Sequence, residues 1–360
     1  MVQWFLLCFI KGLNMNQPKN NLFALAYKEL SQDAFFAWLF NFANPVYKNS
    51  HEQLHDCAVS LLQKWLGINI DIATIEVKTQ ETFSTEDKEN ENVKRRNAID
   101  LFIIINKNTY LIIESKTNSS LHSNQLERYT KHAKENYQNF TGIYLKTGNE
   151  SNYVRANIHP AFKAITRQDL LEHFNSYKDS IHNDIFIDFV ENLQDIENQT
   201  NSFEQLSPEN WEWRQWEGFY QKLDNLNLLE DWFYVDRRSG GFWAADFKGK
   251  QWQSKHGEYK ILFAVHEKQL VFGIFLGDTN KQDSKDKSIK REVRDEFAER
   301  LPNAAKDKSL EITEPKRLGM GKFTRVAFVD KYWLDDAGNY IGIDEMIKKM
   351  KQYHEFLLSL

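Results

Sequence analysis

Several features that mark common protein classes are missing from this sequence. Its two cysteines, Cys8 and Cys57, are too few for a disulfide framework or a cysteine-rich zinc site, and they fit a reduced, cytoplasmic setting. The sequence contains no glycine-rich phosphate loop, no nucleophile elbow and no zinc-ligand spacing. The apolar stretch Trp4–Ile10 is far shorter than the roughly 18 residues that suggest a membrane span, and no basic n-region precedes it, so we expect no membrane association.

An excess of positive charge is also missing. The 360 residues carry a formal net charge of -5, so no overall field attracts nucleic acid. Contacts with DNA or RNA would have to use local basic patches such as Lys94–Arg96 or Lys131–Lys134. The length is sufficient for two domains that each bury a core.

The most informative pattern is a pair of apolar strands with charged ends. Asp100 opens the first strand, and the second strand ends in Glu114, Ser115 and Lys116. In an antiparallel hairpin the start of one strand lies beside the end of its partner, so Asp100 and Glu114 are expected to converge. Glu114 and Lys116 are two residues apart and share a face. Two carboxylates and an amine can hold a divalent cation and activate a water.

The Glu-x-Lys triplet is not specific by itself, because it occurs at four other places. The strongest rival is Glu258–Lys260, with Asp246 twelve residues upstream, but Glu258 precedes its apolar strand instead of ending it. Ordinary solvated residues at a strand edge are the competing interpretation of Glu114 and Lys116. The remaining triplets lie within a strand-like stretch, in a charged loop and at a proline-containing turn, respectively: Glu76–Lys78, Glu86–Lys88 and Glu314–Lys316.

A helix running to about Asn136 is predicted after the hairpin. On it His122, Gln125 and Tyr129 share one face, from which Gln125 and Tyr129 can reach the charged ends of the strands. A glutamine amide and a tyrosine hydroxyl can bind a phosphate oxygen. The alternative is that Tyr129 packs in the core with Gln125 at its rim. One of three serines is expected to cap this helix: Ser119, Ser120 or Ser123.

Together these residues resemble the PD-(D/E)xK, restriction-endonuclease-like superfamily, and Gln125-x-x-x-Tyr129 resembles the helix motif of its RecB-like branch. The upstream segment ELSQDAFFAWLFNFANP is similar to the opening of bacterial members, where an acidic residue on the first helix joins the metal site, and Glu29 is the matching position. Ile99 replaces the proline that gives the motif its name. The resemblance covers about residues 20–200.

The resemblance implies a Mg²⁺- or Mn²⁺-dependent nuclease, with DNA a better expectation than RNA. Asp100 and Glu114 would bind the metal, with Glu29 and the main-chain carbonyl of Ser115 as further ligands. Lys116 would position or deprotonate the attacking water and stabilise developing charge. Two residues would orient the phosphate: Gln125 and Tyr129. Many related enzymes serve prokaryotic defence or restriction, and the resemblance is compatible with a homodimer.

Two domains of the α/β (α+β) class are expected after an N-terminal extension, residues 1–20, in which Met15 resembles a natural start. Residues 21–200 form the nuclease-like domain, an αβββαβ core with extra helices and strands near 75–80, 99–105, 110–115 and 142–146. Residues 205–360 form an α+β domain of recognition or assembly type. This second domain is rich in tryptophan, and we expect most of these side chains to build its core.

Two other classes of function are compatible with the same sequence. One is a catalytically inactive nucleic-acid-binding module that keeps the nuclease fold, against which the intact Asp100, Glu114 and Lys116 argue. The other is a protein-interaction partner in a toxin, immunity or mobile-element system, with the tryptophan-rich domain as its interface.

Overall fold

The computed structural model describes residues 20–26, 28–86, 94–121, 124–237, 240–277 and 284–360. They form two compact units. The first comprises the described residues up to Gly148 together with His159–Ile196, and the second comprises Asn149–Ile158 together with Glu197–Leu360. Residues 1–19 of the predicted extension lie outside the described residues, as do His122 and Ser123.

The first unit is built on a five-stranded sheet with the order β1-β2-β3-β4-β5. Its strands are β1 (Ile75–Glu86), β2 (Lys94–Ile105), β3 (Thr109–Lys116), β4 (Phe140–Lys146) and β5 (Phe162–Thr166). Strands β1, β2 and β3 pair antiparallel, whereas β3, β4 and β5 pair parallel. Its helices are α1 (Leu22–Leu25), α2 (Glu29–Asn41), α3 (Glu52–Leu66), α4 (Gln125–Asn136), α6 (Arg167–Asn175) and α7 (Asp184–Asn201). The last turn of α7 and the short helix α5 (Asn152–Ala156) belong to the second unit.

Alternation of apolar residues explains how the first sheet is covered. Five odd-numbered residues of β2 and β3 are buried in one core with α2, α3, α6 and α7: Leu101, Ile103, Ile105, Leu111 and Ile113. Successive strand side chains point to opposite faces, so this burial leaves the even-numbered Asp100 and Glu114 on the other face. Helix α4 makes the crossover between the parallel strands β3 and β4. The predicted αβββαβ core is therefore confirmed, and β5 extends it.

Helix ends differ from the prediction in two places. Ser31, whose residue type favours the N-cap between two helices, lies inside α2, which begins at Glu29. Asn124, with a φ of 61°, stands at the N-cap of α4 without a side-chain hydrogen bond, in place of the predicted serine. Helix α3 ends at Gly67, whose φ of 71° is a left-handed conformation that favours glycine.

The second unit contains a six-stranded sheet with the path β11-β10-β9-β7-β6 and β8 paired to β9. Its strands are β6 (Leu229–Val235), β7 (Phe242–Phe247), β8 (Lys250–Ser254), β9 (Gly257–His266), β10 (Gln269–Phe275) and β11 (Phe323–Asp330). Its other helices are α8 (Trp213–Asn225), α9 (Ser284–Asp307) and α10 (Ile343–Ser359). The class of two mixed α+β units agrees with the prediction. In the described part of the chain, no helix is both long and apolar enough to cross a membrane.

Aromatic packing stabilises the second core. Five tryptophans are buried in it: Trp211, Trp216, Trp232, Trp252 and Trp333. Trp243 packs at its edge, while Trp213 is 39% exposed and lies beneath the Arg214 guanidinium at 4.1 Å. The tryptophan-rich composition is therefore mainly a requirement of the core, since large aromatic side chains bury the most apolar surface per residue.

Candidate active site

The hairpin of β2 and β3 brings the two predicted carboxylates to one end of the first sheet. Leu101 lies opposite Ile113, so the continuing antiparallel register places Asp100 opposite Glu114. Asp100 Oδ2 accepts a hydrogen bond from the Ser115 main-chain nitrogen at 2.9 Å. Its Oδ1 accepts from the Gln80 amide at 3.2 Å, and Gln80 has a φ of 53°, an uncommon conformation for a residue other than glycine.

Glu114 and Lys116 form a buried ion pair at this end. The Glu114 side chain is fully buried, and the Lys116 ammonium donates a hydrogen bond to its Oε1. Lys116 Nζ also donates to the Ser115 carbonyl at 3.2 Å and lies 4.0 Å from Glu29 Oε2. The ammonium group is thus shared by two carboxylates and one main-chain carbonyl.

The first turns of α2 supply the other side of the site. Glu29 Oε1 accepts hydrogen bonds from the Thr117 main-chain nitrogen and from the Ser119 hydroxyl. Gln32 Nε2 donates to Ser115 Oγ at 2.7 Å, which links α2 to strand β3. These contacts place Glu29 beside Lys116.

Asp33 is a site residue that the sequence analysis missed. It lies one turn after Glu29, is only 3% exposed, accepts a hydrogen bond from the Ser115 hydroxyl and interacts electrostatically with Asp100, Glu29 and Lys116. The i, i+4 spacing from Glu29 was the available signal, because residues four apart lie on one helix face.

Helix α4 presents Gln125 and Tyr129 to the same end of the sheet. Gln125 Nε2 donates to the Tyr129 hydroxyl at 3.0 Å, and that hydroxyl donates to the Ala98 carbonyl of β2. Tyr129 is 1% exposed, and burial together with the Glu114 charge raises the pKa of its hydroxyl. Tyr129 is therefore a core residue, as in the alternative interpretation, and its hydroxyl also holds the Gln125 side chain.

The electrostatics of the site follow from three buried charges. Burial and the nearby Asp100 raise the pKa of Glu114 to about 7, against the opposing effect of Lys116. Burial also raises the pKa of Asp33 to about 7, although the Ser115 hydrogen bond favours its ionised form. Desolvation lowers the pKa of Lys116, but the carboxylates of Glu114, Asp100 and Glu29 outweigh it, so the net pKa is raised and the amine stays protonated.

Three buried oxygen atoms around the site have no hydrogen-bond donor among the described residues: Asp33 Oδ1, Glu114 Oε2 and Gln125 Oε1. Buried polar atoms are normally satisfied, and all three atoms are acceptors of the kind that Mg²⁺ and Mn²⁺ prefer. Within the described ranges, no three His, Cys, Asp or Glu side chains are already gathered into a metal-holding group. These oxygen ligands fit a divalent cation. The carboxylates of Asp100 and Glu114 and the main-chain carbonyl of Ser115 would hold it once the Lys116 ammonium no longer pairs with Glu114.

The rival Glu-x-Lys triplet has a different environment. Lys260 pairs with Glu230 at 2.6 Å instead of Glu258, and Glu258 is exposed. Burial, then the negative charge of Glu230, raises the pKa of Asp246 to about 7. The structure therefore does not bring Glu258 and Lys260 together with Asp246 in the arrangement of the first hairpin.

A family model matches the N-terminal part of the chain. Residues 20–205 match the family model described as PD-(D/E)XK nuclease superfamily, a span that includes α2, the β2–β3 hairpin and α4. No curated protein and no solved structure matches the chain. The matched span is more than half of the 360 residues.

Proposed function

The chain belongs to the PD-(D/E)XK nuclease superfamily, and from this premise we propose that it is a Mg²⁺- or Mn²⁺-dependent nuclease that hydrolyses phosphodiester bonds of DNA. The observation that carries the proposal is the convergence of Asp100, Glu114 and Lys116 around buried oxygen atoms that lack donors. We place the enzyme in the cytoplasm and within the RecB-like branch, with a role in prokaryotic defence or restriction.

Asp100 and Glu114 would hold the cation, and the Ser115 carbonyl would be a third ligand. Glu29 is close enough to Lys116, at 4.0 Å, to join the site or to take the ammonium group when it leaves Glu114. A bound divalent cation supplies a nucleophile at neutral pH and offsets negative charge on the phosphate. Asp33 would add negative charge beside the ligands without needing to contact the cation.

Lys116 would act as a fixed positive charge. Its raised pKa and its carboxylate neighbours keep the amine protonated, which favours stabilisation of the phosphate charge over removal of a proton from water. Gln125 would orient the phosphate through the carbonyl oxygen or the amide group, while buried Tyr129 would position Gln125 from behind.

The decisive experiment incubates the full chain with supercoiled, linear and single-stranded DNA, and with RNA, in Mg²⁺, Mn²⁺ or EDTA. We expect metal-dependent cleavage of DNA that is lost in Asp100→Ala and in Lys116→Ala. Glu258→Ala is the matched control, because Glu258 belongs to an exposed Glu-x-Lys triplet. Circular dichroism of each variant distinguishes lost chemistry from lost folding.

Three results would contradict the proposal. Cleavage in EDTA would exclude the metal mechanism, and full activity of folded Asp100→Ala would exclude the assigned site. Nucleic-acid binding without cleavage by the wild-type protein under every metal condition would favour the inactive binding module.

A further inference from the structure

A cavity of about 390 Å³ lies within the second unit, on strands that the nuclease site does not use. It is formed where β9 ends at His266, β7 begins at Phe242 and β11 begins at Phe323. Arg237 follows β6, Arg317 precedes β11 and Arg325 lies on β11, so three guanidinium groups from three parts of the chain reach one cavity. Phe323 packs on a small apolar cluster that is separate from the main core.

The charge of this cavity has one sign. Its lining includes Arg237, Arg317 and Arg325 but no aspartate or glutamate. None of these three arginines pairs with a carboxylate within the part of the chain that the structure describes. Like charges that converge without a counterion repel one another, so the arrangement is favourable when an anion lies between them.

The guanidinium groups are oriented as well as clustered. Arg325 Nη1 donates to the Gln269 side-chain oxygen at 2.6 Å, and the Gln269 amide donates to Asp330 at 2.7 Å. Arg237 lies over the Phe242 ring at 4.4 Å. A held, planar guanidinium group is suited to paired hydrogen bonds with a phosphate.

His266 lies between the two aromatic walls. Its ring centroid is 5.0 Å from that of Phe242 and 6.2 Å from that of Phe323. Burial, followed by the charges of Arg237 and Arg325, lowers the pKa of His266 to about 4. The imidazole is therefore neutral near pH 7 and responds to the same positive potential that an anion would meet.

Size and lining indicate the chemistry of the ligand. About 390 Å³ corresponds to roughly a dozen water molecules, which is more room than one phosphate group requires. Cavities of this size are typical of small-molecule sites. The aromatic faces of Phe242 and Phe323 can contact a planar ring while the arginines bind a phosphate.

We propose that this cavity binds a nucleotide phosphate, presented by the end of a nucleic-acid strand or by a free mononucleotide. The site is distinct from the cleavage site on β2 and β3, and binding there does not depend on the proposed nuclease activity. In a nucleic-acid complex it would hold the strand through its terminal phosphate, whereas with a free nucleotide it would be an effector site.

The test measures binding by the full chain in EDTA, which removes divalent cations and so separates binding from cleavage. The probes are a single-stranded oligonucleotide with a 5′-phosphate, the same oligonucleotide without it, AMP and inorganic phosphate. The variants are Arg317→Ala and Arg325→Gln, with Arg291→Ala as a control, since Arg291 is an exposed arginine on α9 that does not line the cavity.

We expect Arg317→Ala and Arg325→Gln each to weaken binding at least about tenfold, the loss typical of one charge-assisted hydrogen bond, and Arg291→Ala to leave it unchanged. Dependence confined to the phosphorylated oligonucleotide identifies a strand end, whereas the same dependence for AMP identifies a free nucleotide. Equal affinities across all variants, or no binding of any probe by the wild type, would overturn the proposal. Arg317 is exposed and outside the strands, so its variant remains informative if Arg325→Gln misfolds.

Discussion

A divalent cation should stabilise this protein more at pH 8 than at pH 5.5, and Glu114 should be the main cause. The carboxyl group is fully buried, and burial with Asp100 raises its pKa from 4.5 to about 7. This pKa difference of about 2.5 units, at about 1.4 kcal/mol for each unit, corresponds to roughly 3 kcal/mol in the free energy of unfolding.

The sign follows from comparing the folded and unfolded chains. Because the folded pKa is the higher one, the unfolded chain loses this proton first as pH rises. The stabilisation is complete below pH 4.5 and is lost as pH rises through about 7. About 2 kcal/mol of the loss falls between pH 5.5 and 8, or a Tm decrease of about 4–8 °C for a unit of this size. A cation that binds the ionised carboxylate reverses the loss.

The assay is thermal unfolding at both pH values in EDTA, Mg²⁺ and Mn²⁺, for the wild type and for Glu114→Gln. The variant carries no ionisable group at this position, so its Tm in EDTA should fall less at pH 8 and its response to cations should shrink. Glu76→Gln is the matched control, because Glu76 belongs to an exposed Glu-x-Lys triplet in the same sheet. Identical pH and cation responses of wild type and Glu114→Gln would refute the reasoning.

Three further outcomes are expected. Asp33→Asn should lower metal affinity or cleavage about 10–100-fold without lowering the Tm, because it removes a buried ionisable group whose pKa is raised to about 7, and full activity with full metal affinity would exclude this role. Gly218→Ala should lower the free energy of unfolding in urea by about 1–3 kcal/mol, because an added Cβ would lie 2.0 Å from the Thr200 carbonyl oxygen. Gly319→Ala is the control and should leave this free energy unchanged, because open space surrounds Gly319. Lowering the pH from 7 to 5 should reduce the free energy of unfolding by about 2 kcal/mol, because the pKa of His266 is about 4 in the folded chain and 6.5 in the unfolded chain. His266→Gln should remove this part of the pH dependence, as measured by unfolding at both pH values.

The hairpin of β2 and β3 could be predicted because local patterns determine it. Strand alternation fixes the facing of Asp100, Glu114 and Lys116, and antiparallel pairing places the start of β2 beside the end of β3. The succession of β1 to β4 along the chain followed from the same alternation and from the intervening helix. These features need no knowledge of distant contacts.

Other parts depend on tertiary contacts that the sequence does not specify. The role of Asp33 depends on which face of α2 meets Ser115, a residue more than 80 positions away. The cavity of the second unit needs the register of β11 against β10 to bring Arg325 near His266. Strands β6 and β8 could not be predicted, because β8 has one apolar residue, Trp252, and the burial along β6 does not alternate.

The assignment of Asn149–Ile158 to the second unit has a consequence for synthesis on the ribosome. This segment joins β4 to β5, yet the Asn152 main-chain nitrogen donates to Asp224 at 2.7 Å and Asn149 donates to Glu217 at 2.8 Å. Asp224 emerges 66 residues after Ile158, which is roughly 3–13 s later at ordinary elongation rates. During synthesis, the segment that connects β4 to β5 therefore lacks its hydrogen-bond partners until Asp224 has been made. A chimaera that exchanges the chain at a single junction near residue 200 would likewise remove those partners.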